Sequence, residues 1–199
     1  SLFMPVNRSV PDVAEKRKNW NGLISGFRAS DLVFLDESGY NTDMTRRYAY
    51  SLGGSRAVDS APLSKPKNTT ILSSIQLDGT LHYTTFSGGT TVERFKQYLK
   101  TDLLPHLNGD SVLVMDNMKS HHAKAVKNLL DSSGVRYVYL PPYSPDLNPI
   151  EKLWSKVKSL LRKFKARTLD ALPNAIQNAF HSITVSDCSG WFRFCGYVL

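Results

Sequence analysis

Two short segments share one pattern, four apolar residues closed by an aspartate. These are Leu32-Val33-Phe34-Leu35-Asp36 and Val112-Leu113-Val114-Met115-Asp116. Runs this short and continuously apolar suit strands covered on both faces, the condition of the inner strands of an α/β sheet. The spacing supplies the other elements. Thr69–Leu77 and Leu81–Phe86 flank Asp78-Gly79, which predicts a β-hairpin. Thr90 stands three residues before Glu93, a capping-box spacing, ahead of Val92, Phe95, Leu99 and Leu103 at helical intervals. Ser120 is placed to cap a helix carrying Ala123, Val126, Leu129 and Leu130, and Val135–Leu140 reads as a strand stopped by Pro141-Pro142. A helix follows with Leu153, Trp154, Val157, Leu160, Leu161 and Phe164 on its apolar face, and another helical stretch comes after Thr168. Strand, hairpin, helix, strand, helix, strand, helix is the order of a mixed α/β sheet with helices on its faces. Residues 1–29 are polar, with the basic run Lys16-Arg17-Lys18, and read as an arm or linker before a domain over 30–199.

At strand ends, Asp36 and Asp116 would lie where open α/β sheets place their sites. Carboxylates brought together at a buried edge repel, and one stays protonated unless a cation neutralises them. Oxygen donors without thiolates favour a hard ion, Mg²⁺ or Mn²⁺. The alternative is that each aspartate merely ends a strand. Glu151 has two readings of equal weight. Asn148 as cap, Pro149 at the first helical position and Glu151 at the third make a well-formed helix start. Yet Glu151 lies off the apolar face and shares a stripe with Ser155, Lys158 and Arg162, as a metal ligand facing a DNA backbone would.

Composition narrows the partners. A net charge of +8 favours a polyanion. From Lys152 to Arg167 there are seven basic residues and no acidic one. No apolar run is long enough to span a membrane, no secretory signal is evident, and a cytosolic protein is expected. The chain has no GxxxxGK[ST] loop, which removes nucleotide hydrolysis and a nucleotide cofactor, and no GxGxxG turn or HExxH helix. Cys188 and Cys195 lack zinc-site spacing and read as reduced thiols in or near a small core.

Beyond these separate signals, several blocks resemble the DDE transposases of the mariner superfamily, in particular its bacterial insertion-sequence branch. They are Asp36-Glu37-Ser38, Asn41–Tyr48 with Arg46 and Arg47, Val114–Asn117 with His121, and above all Tyr139-Leu-Pro-Pro-Tyr-Ser-Pro-Asp-Leu-Asn-Pro-Ile-Glu151-Lys-Leu-Trp154. Thirty-four residues separate Asp116 from Glu151, a spacing that suits the superfamily. The resemblance implies a ribonuclease-H-like fold, a mixed five-stranded sheet with helices on both faces. It implies that Asp36, Asp116 and Glu151 are the catalytic, metal-binding triad. It implies two Mg²⁺ or Mn²⁺ ions in the DNA-bound state and strand cleavage followed by strand transfer, commonly into a TA dinucleotide. DNA, as element ends and target, is the implied partner, with self-association during transposition at the bacterial nucleoid.

As residues of a second layer around the metal, Asn117 is expected to orient a metal-bound water or ligand, the alternative being a turn cap, and His121 to contact a phosphate or shape the site, the alternative being a surface or packing histidine. Arg46, Arg47, Lys152, Lys158 and Arg162 are expected to meet DNA phosphates, whereas Lys119 and His122 inherit no role and Trp154 is expected in the core. Such transposases usually carry N-terminal helix-turn-helix modules, for which this sequence has no room, so a catalytic fragment or truncated copy is expected. Two other readings keep the same residues: a catalytically silent DNA-binding module, and a nuclease on the same fold.

Overall fold

The computed structural model describes residues 11–41, 68–164 and 170–198. Arg46, Arg47, Lys165, Arg167 and Thr168 lie outside them. Five strands, β1 (Leu32–Asn41), β2 (Asn68–Ile75), β3 (Leu81–Ser87), β4 (Val112–Met115) and β5 (Arg136–Tyr139), form one sheet in the order β3-β2-β1-β4-β5. β1, β2 and β3 run antiparallel to their neighbours, while β1, β4 and β5 are parallel. This is the mixed five-stranded sheet that the spacing and the resemblance predict.

Alternation along the two central strands sorts the core into two layers. Leu32 and Phe34 of β1 and Val112 and Val114 of β4 face a cluster with Trp20, Leu153, Trp154, Val157, Ile176 and Phe192. Those partners come from α1 (Pro11–Ile24), α4 (Ile150–Lys163), α5 (Leu172–His181) and α6 (Val185–Phe194). Val33, Leu35, Leu113 and Met115 face the other way, onto Phe95, Leu99, Val126 and Leu130. These belong to α2 (Val92–Tyr98) with its π-helical continuation Leu99–Leu103, and to α3 (Lys124–Ser133). The expected cover on both faces is present.

Several local expectations change. Helix α1 lies in the stretch read as an arm or linker, and its Val13 and Trp20 are buried. The cap of α2 is Thr91, which accepts from the Arg94 amide at 3.3 Å, not Thr90, whose hydroxyl is buried without a partner. Ser120 does not cap α3. The chain makes two tight turns there, closed by His121 N to Met118 O and His122 N to Lys119 O, and the helix starts at Lys124. Phe164 leaves the apolar face of α4 and is 44% exposed. α6, which the apolar spacing does not reveal, begins with a true capping box between Thr184 and Asp187. In the hairpin, Gly79 has φ +89°, and a Cβ there would meet Val185 Cγ2 at 3.1 Å, so this turn needs glycine for both reasons. Among the described residues, no helix is long and apolar enough to cross a membrane.

Candidate active site

Asp36 is not at the end of its strand. β1 continues to Asn41 along β2, with Asp36 opposite Ser73. The parallel pairing with β4 does stop there, Leu35 with Met115 being its last pair. Asp36 and Asp116 therefore flank the point where β1 and β4 part. That is the geometric content of the repeated motif.

Asp36 continues the alternation of Leu32 and Phe34 and so faces α4. It is 7% exposed, and Trp154 Nε1 donates to its Oδ2 at 3.1 Å. Burial pushes its carboxyl up from 3.8 to about 7, and the nearby Asp116 and Glu151 add to the rise against the Glu37 backbone and Trp154 donors. Trp154 is thus more than core. The sequence signal for this was available, since an indole N–H on a buried helix face needs an acceptor.

Asp116 is held differently. Desolvation raises its carboxyl, but His121, the Met118 amide and the field of His122 outweigh it and leave it below its usual range. His121 Nδ1 lies 2.7 Å from Asp116 Oδ1, and the Met118 amide donates to the same oxygen at 3.0 Å. His121 is fully buried and stacked on Phe95, with ring centres 4.4 Å apart. Asn117 does not reach toward the acids. Its Nδ2 donates to the Leu140 carbonyl, and its Oδ1 meets His122 Nε2 at 3.2 Å. It ties the residue after Asp116 to the end of β5.

Glu151 sits in the first turn of α4, exposed beside the buried Ile150, Leu153 and Trp154. Of its two sequence readings, the cap finds no hydrogen bond. Asn148 accepts from the Glu151 amide through its backbone carbonyl at 3.1 Å, while its buried Oδ1 has no partner. Partial desolvation raises the Glu151 carboxyl, with Lys158 opposing and Asp116 adding to the rise. Asp116 and Glu151 line a cavity of about 420 Å³ together with Asn148 and the turn Pro141–Pro145, and the buried Asp36 feels the charge of both.

An oxygen-only donor set with one carboxyl near 7 is the chemistry a hard divalent ion would stabilise. Among the described residues, no three histidine, cysteine, aspartate or glutamate groups stand close enough to hold an ion together. The acids share a field without converging on one point.

The basic residues divide. Lys158 influences Glu151 and lies over the Tyr40 ring at 5.6 Å, and the charge of Arg162 also reaches Tyr40, so both follow the stripe of Glu151. Lys152 instead rests on the Phe194 ring of α6 at 3.9 Å. Arg17 carries a role that reading the N-terminus as a linker hides. It makes a two-pronged bond to Asp146 at 3.1 and 2.6 Å and donates to Ser144 Oγ at 2.9 Å, clamping the proline-rich turn beside Glu151. The Tyr197 hydroxyl holds the same turn through the Leu147 carbonyl at 2.5 Å. Cys188 and Cys195 are free buried thiols, each pushed up to about 11 by burial.

A sheet of this order with acids at the β1–β4 fork and on α4 defines a ribonuclease-H-like domain. Its fold matches the catalytic domain of Mos1 mariner transposase with a TM-score of 0.73 over 97% of this chain and 92% of that one, at 16% identity. It also matches Mos1 transposase in a paired-end complex with left transposon end, with a TM-score of 0.74 at 21% identity, covering 98% of this chain and 64% of that one. The family model described as DDE superfamily endonuclease matches residues 31–173, and the chain belongs to that family. In sequence it is 30% identical over 92 residues to the Transposable element Tc1 transposase of Caenorhabditis elegans, a stretch covering 46% of this chain and 34% of the relative. The match spans about a third of that relative's length.

Proposed function

We propose that this chain is the catalytic domain of a transposase from the bacterial insertion-sequence branch of the mariner superfamily. It cuts DNA at element ends and joins them to a target, acting at the nucleoid and self-associating with further copies when the ends are paired. The observation that supports this best is a buried Asp36 in the field of Asp116 and Glu151, the two acids that line one open cavity, within a domain of the DDE endonuclease family.

Asp36, Asp116 and Glu151 would hold Mg²⁺ or Mn²⁺, with DNA phosphate oxygens completing the ligand set. Held there, such ions would supply Lewis-acid activation of a water or a DNA 3′-hydroxyl and charge neutralisation at the leaving oxygen. The protein's own residues set up that chemistry. Trp154 fixes Asp36 Oδ2. His121 and the Met118 amide both bind Asp116 Oδ1, which leaves Oδ2 for a ligand. Lys158 and Arg162, and Arg46 and Arg47 from outside the described residues, neutralise phosphates along the approach. Lys152 joins them only by releasing Phe194.

Manganese titration followed by calorimetry tests the assignment. The native chain should bind Mn²⁺, and Asp36→Asn or Glu151→Gln should each weaken binding at least tenfold. Unchanged binding in both variants would remove the triad. A nicking assay with Asp116→Asn separates an enzyme from a silent DNA-binding module, because only the enzyme loses activity with that aspartate.

A further inference from the structure

Tyr143 combines two properties that seldom occur together. It is 66% exposed, and it is the one non-glycine position with positive φ (55°) among the described residues. A left-handed backbone is a steric cost for a residue with a bulky side chain. Nothing repays that cost locally, because the ring has no hydrogen-bonding, aromatic or cationic partner among the described residues. The surroundings nevertheless impose the conformation. Pro141, Pro142 and Pro145 stiffen the turn, and Ser144 is buried, donating to the Pro142 carbonyl at 3.2 Å while accepting from Arg17. Arg17 in turn grips Asp146. A helix from another part of the chain thus locks a strained turn whose tyrosine borders the cavity of Asp116 and Glu151. Backbone strain that the surroundings over-determine at a site is grounds for a functional hypothesis.

We propose that Tyr143 is a stacking platform for an unpaired nucleobase of the DNA strand whose phosphate lies at the acids. This rests on the reading of the chain as a DNA-processing enzyme. A base presents its face only when it leaves the duplex stack, and an exposed aromatic ring accepts any base without sequence preference. Because the backbone that carries it is locked, the ring would fix the strand beside the carboxylates at reduced entropic cost.

The test uses a short duplex with an unpaired 3′ overhang carrying 2-aminopurine, read by fluorescence quenching and by anisotropy. Tyr143→Phe should keep both binding and quenching. Tyr143→Ala and Tyr143→Gly should lose the quenching and weaken binding by roughly 5- to 100-fold. Tyr143→Gly also relieves the positive φ, so it should melt no lower than the native chain, which a merely structural tyrosine would not allow. An overhang with an abasic site should bind native and variant chains alike. Binding within twofold of native in both the Ala and Gly variants overturns the inference, as does an equal loss on the abasic overhang. A native chain that leaves all these DNAs unbound overturns the DNA-processing reading and this inference with it.

Discussion

Asp36→Asn should make the metal-free domain more stable at alkaline pH, and its size follows from the site. In the unfolded chain this carboxyl ionises near 3.8, whereas in the fold it keeps its proton to about 7. Between those values the folded state binds the extra proton, so stability falls as pH rises through the interval and levels off above it. At about 1.4 kcal/mol per pKa unit, a rise of this size costs the native fold about 4 kcal/mol by pH 8 relative to pH 3. Asparagine carries no such term. Urea midpoints in EDTA across this range should therefore show the native chain losing ground to Asp36→Asn, mostly between pH 4 and 7. Saturating Mn²⁺ at pH 8 should restore about 2.7 kcal/mol to the native chain at a hundredfold excess over its dissociation constant, and clearly less to the variant. Parallel pH profiles of native chain and variant in EDTA would refute the burial of Asp36 among like charges.

Trp154→Phe keeps the packing of α4 but removes the donor to Asp36 Oδ2, which should cost about 1–3 kcal/mol. The Asp36 carboxyl should rise further, moving the pH-dependent loss upward in the same urea series; an unmoved profile would deny the bond. Arg17→Met breaks a partly exposed clamp, so a loss of about 1 kcal/mol is expected. Hydrogen exchange should quicken in α1 and the 142–148 turn while β4 stays protected. Gly79→Ala meets both a positive φ and the Val185 side chain and should cost more than about 1 kcal/mol in a thermal melt. Gly39→Ala, with open space around its Cβ, should stay within about 0.5 kcal/mol.

The sheet and the positions of the acids were legible because they rest on local patterns. An apolar run ending in aspartate marks a covered strand, and Asp-Gly between β-prone segments marks a hairpin. What escaped depends on contacts distant in sequence. Asp36 looked like a strand end because the apolar run stops, yet β1 continues along β2, whose pairing needs no further apolar residues. Ser120 had the right type and spacing for a cap, but His121 is drawn beneath Asp116 and onto Phe95, and the backbone turns instead of winding. α1 looked like an arm because its sequence is polar. Trp20 and Arg17 attach it to the core, and no periodicity announces either.

The three acids are chemically unequal, although the sequence presents them as a set. Asp116, with two donors on one oxygen, is stabilised as an anion, whereas Asp36 and Glu151 are both pushed toward the protonated form. Near neutrality the site therefore carries less than its full negative charge, and the charge it keeps is concentrated on the residue that His121 anchors. A cation entering such a site near neutrality must displace the proton from Asp36, so its affinity is tied to pH chiefly through that residue and not through Asp116. The same asymmetry accounts for the difference in their supports. Asp116 has a buried histidine behind it, Glu151 an exposed position with Lys158 in its field, and the buried Asp36 a single indole donor, so Asp36 is the acid that gives up its charge most readily.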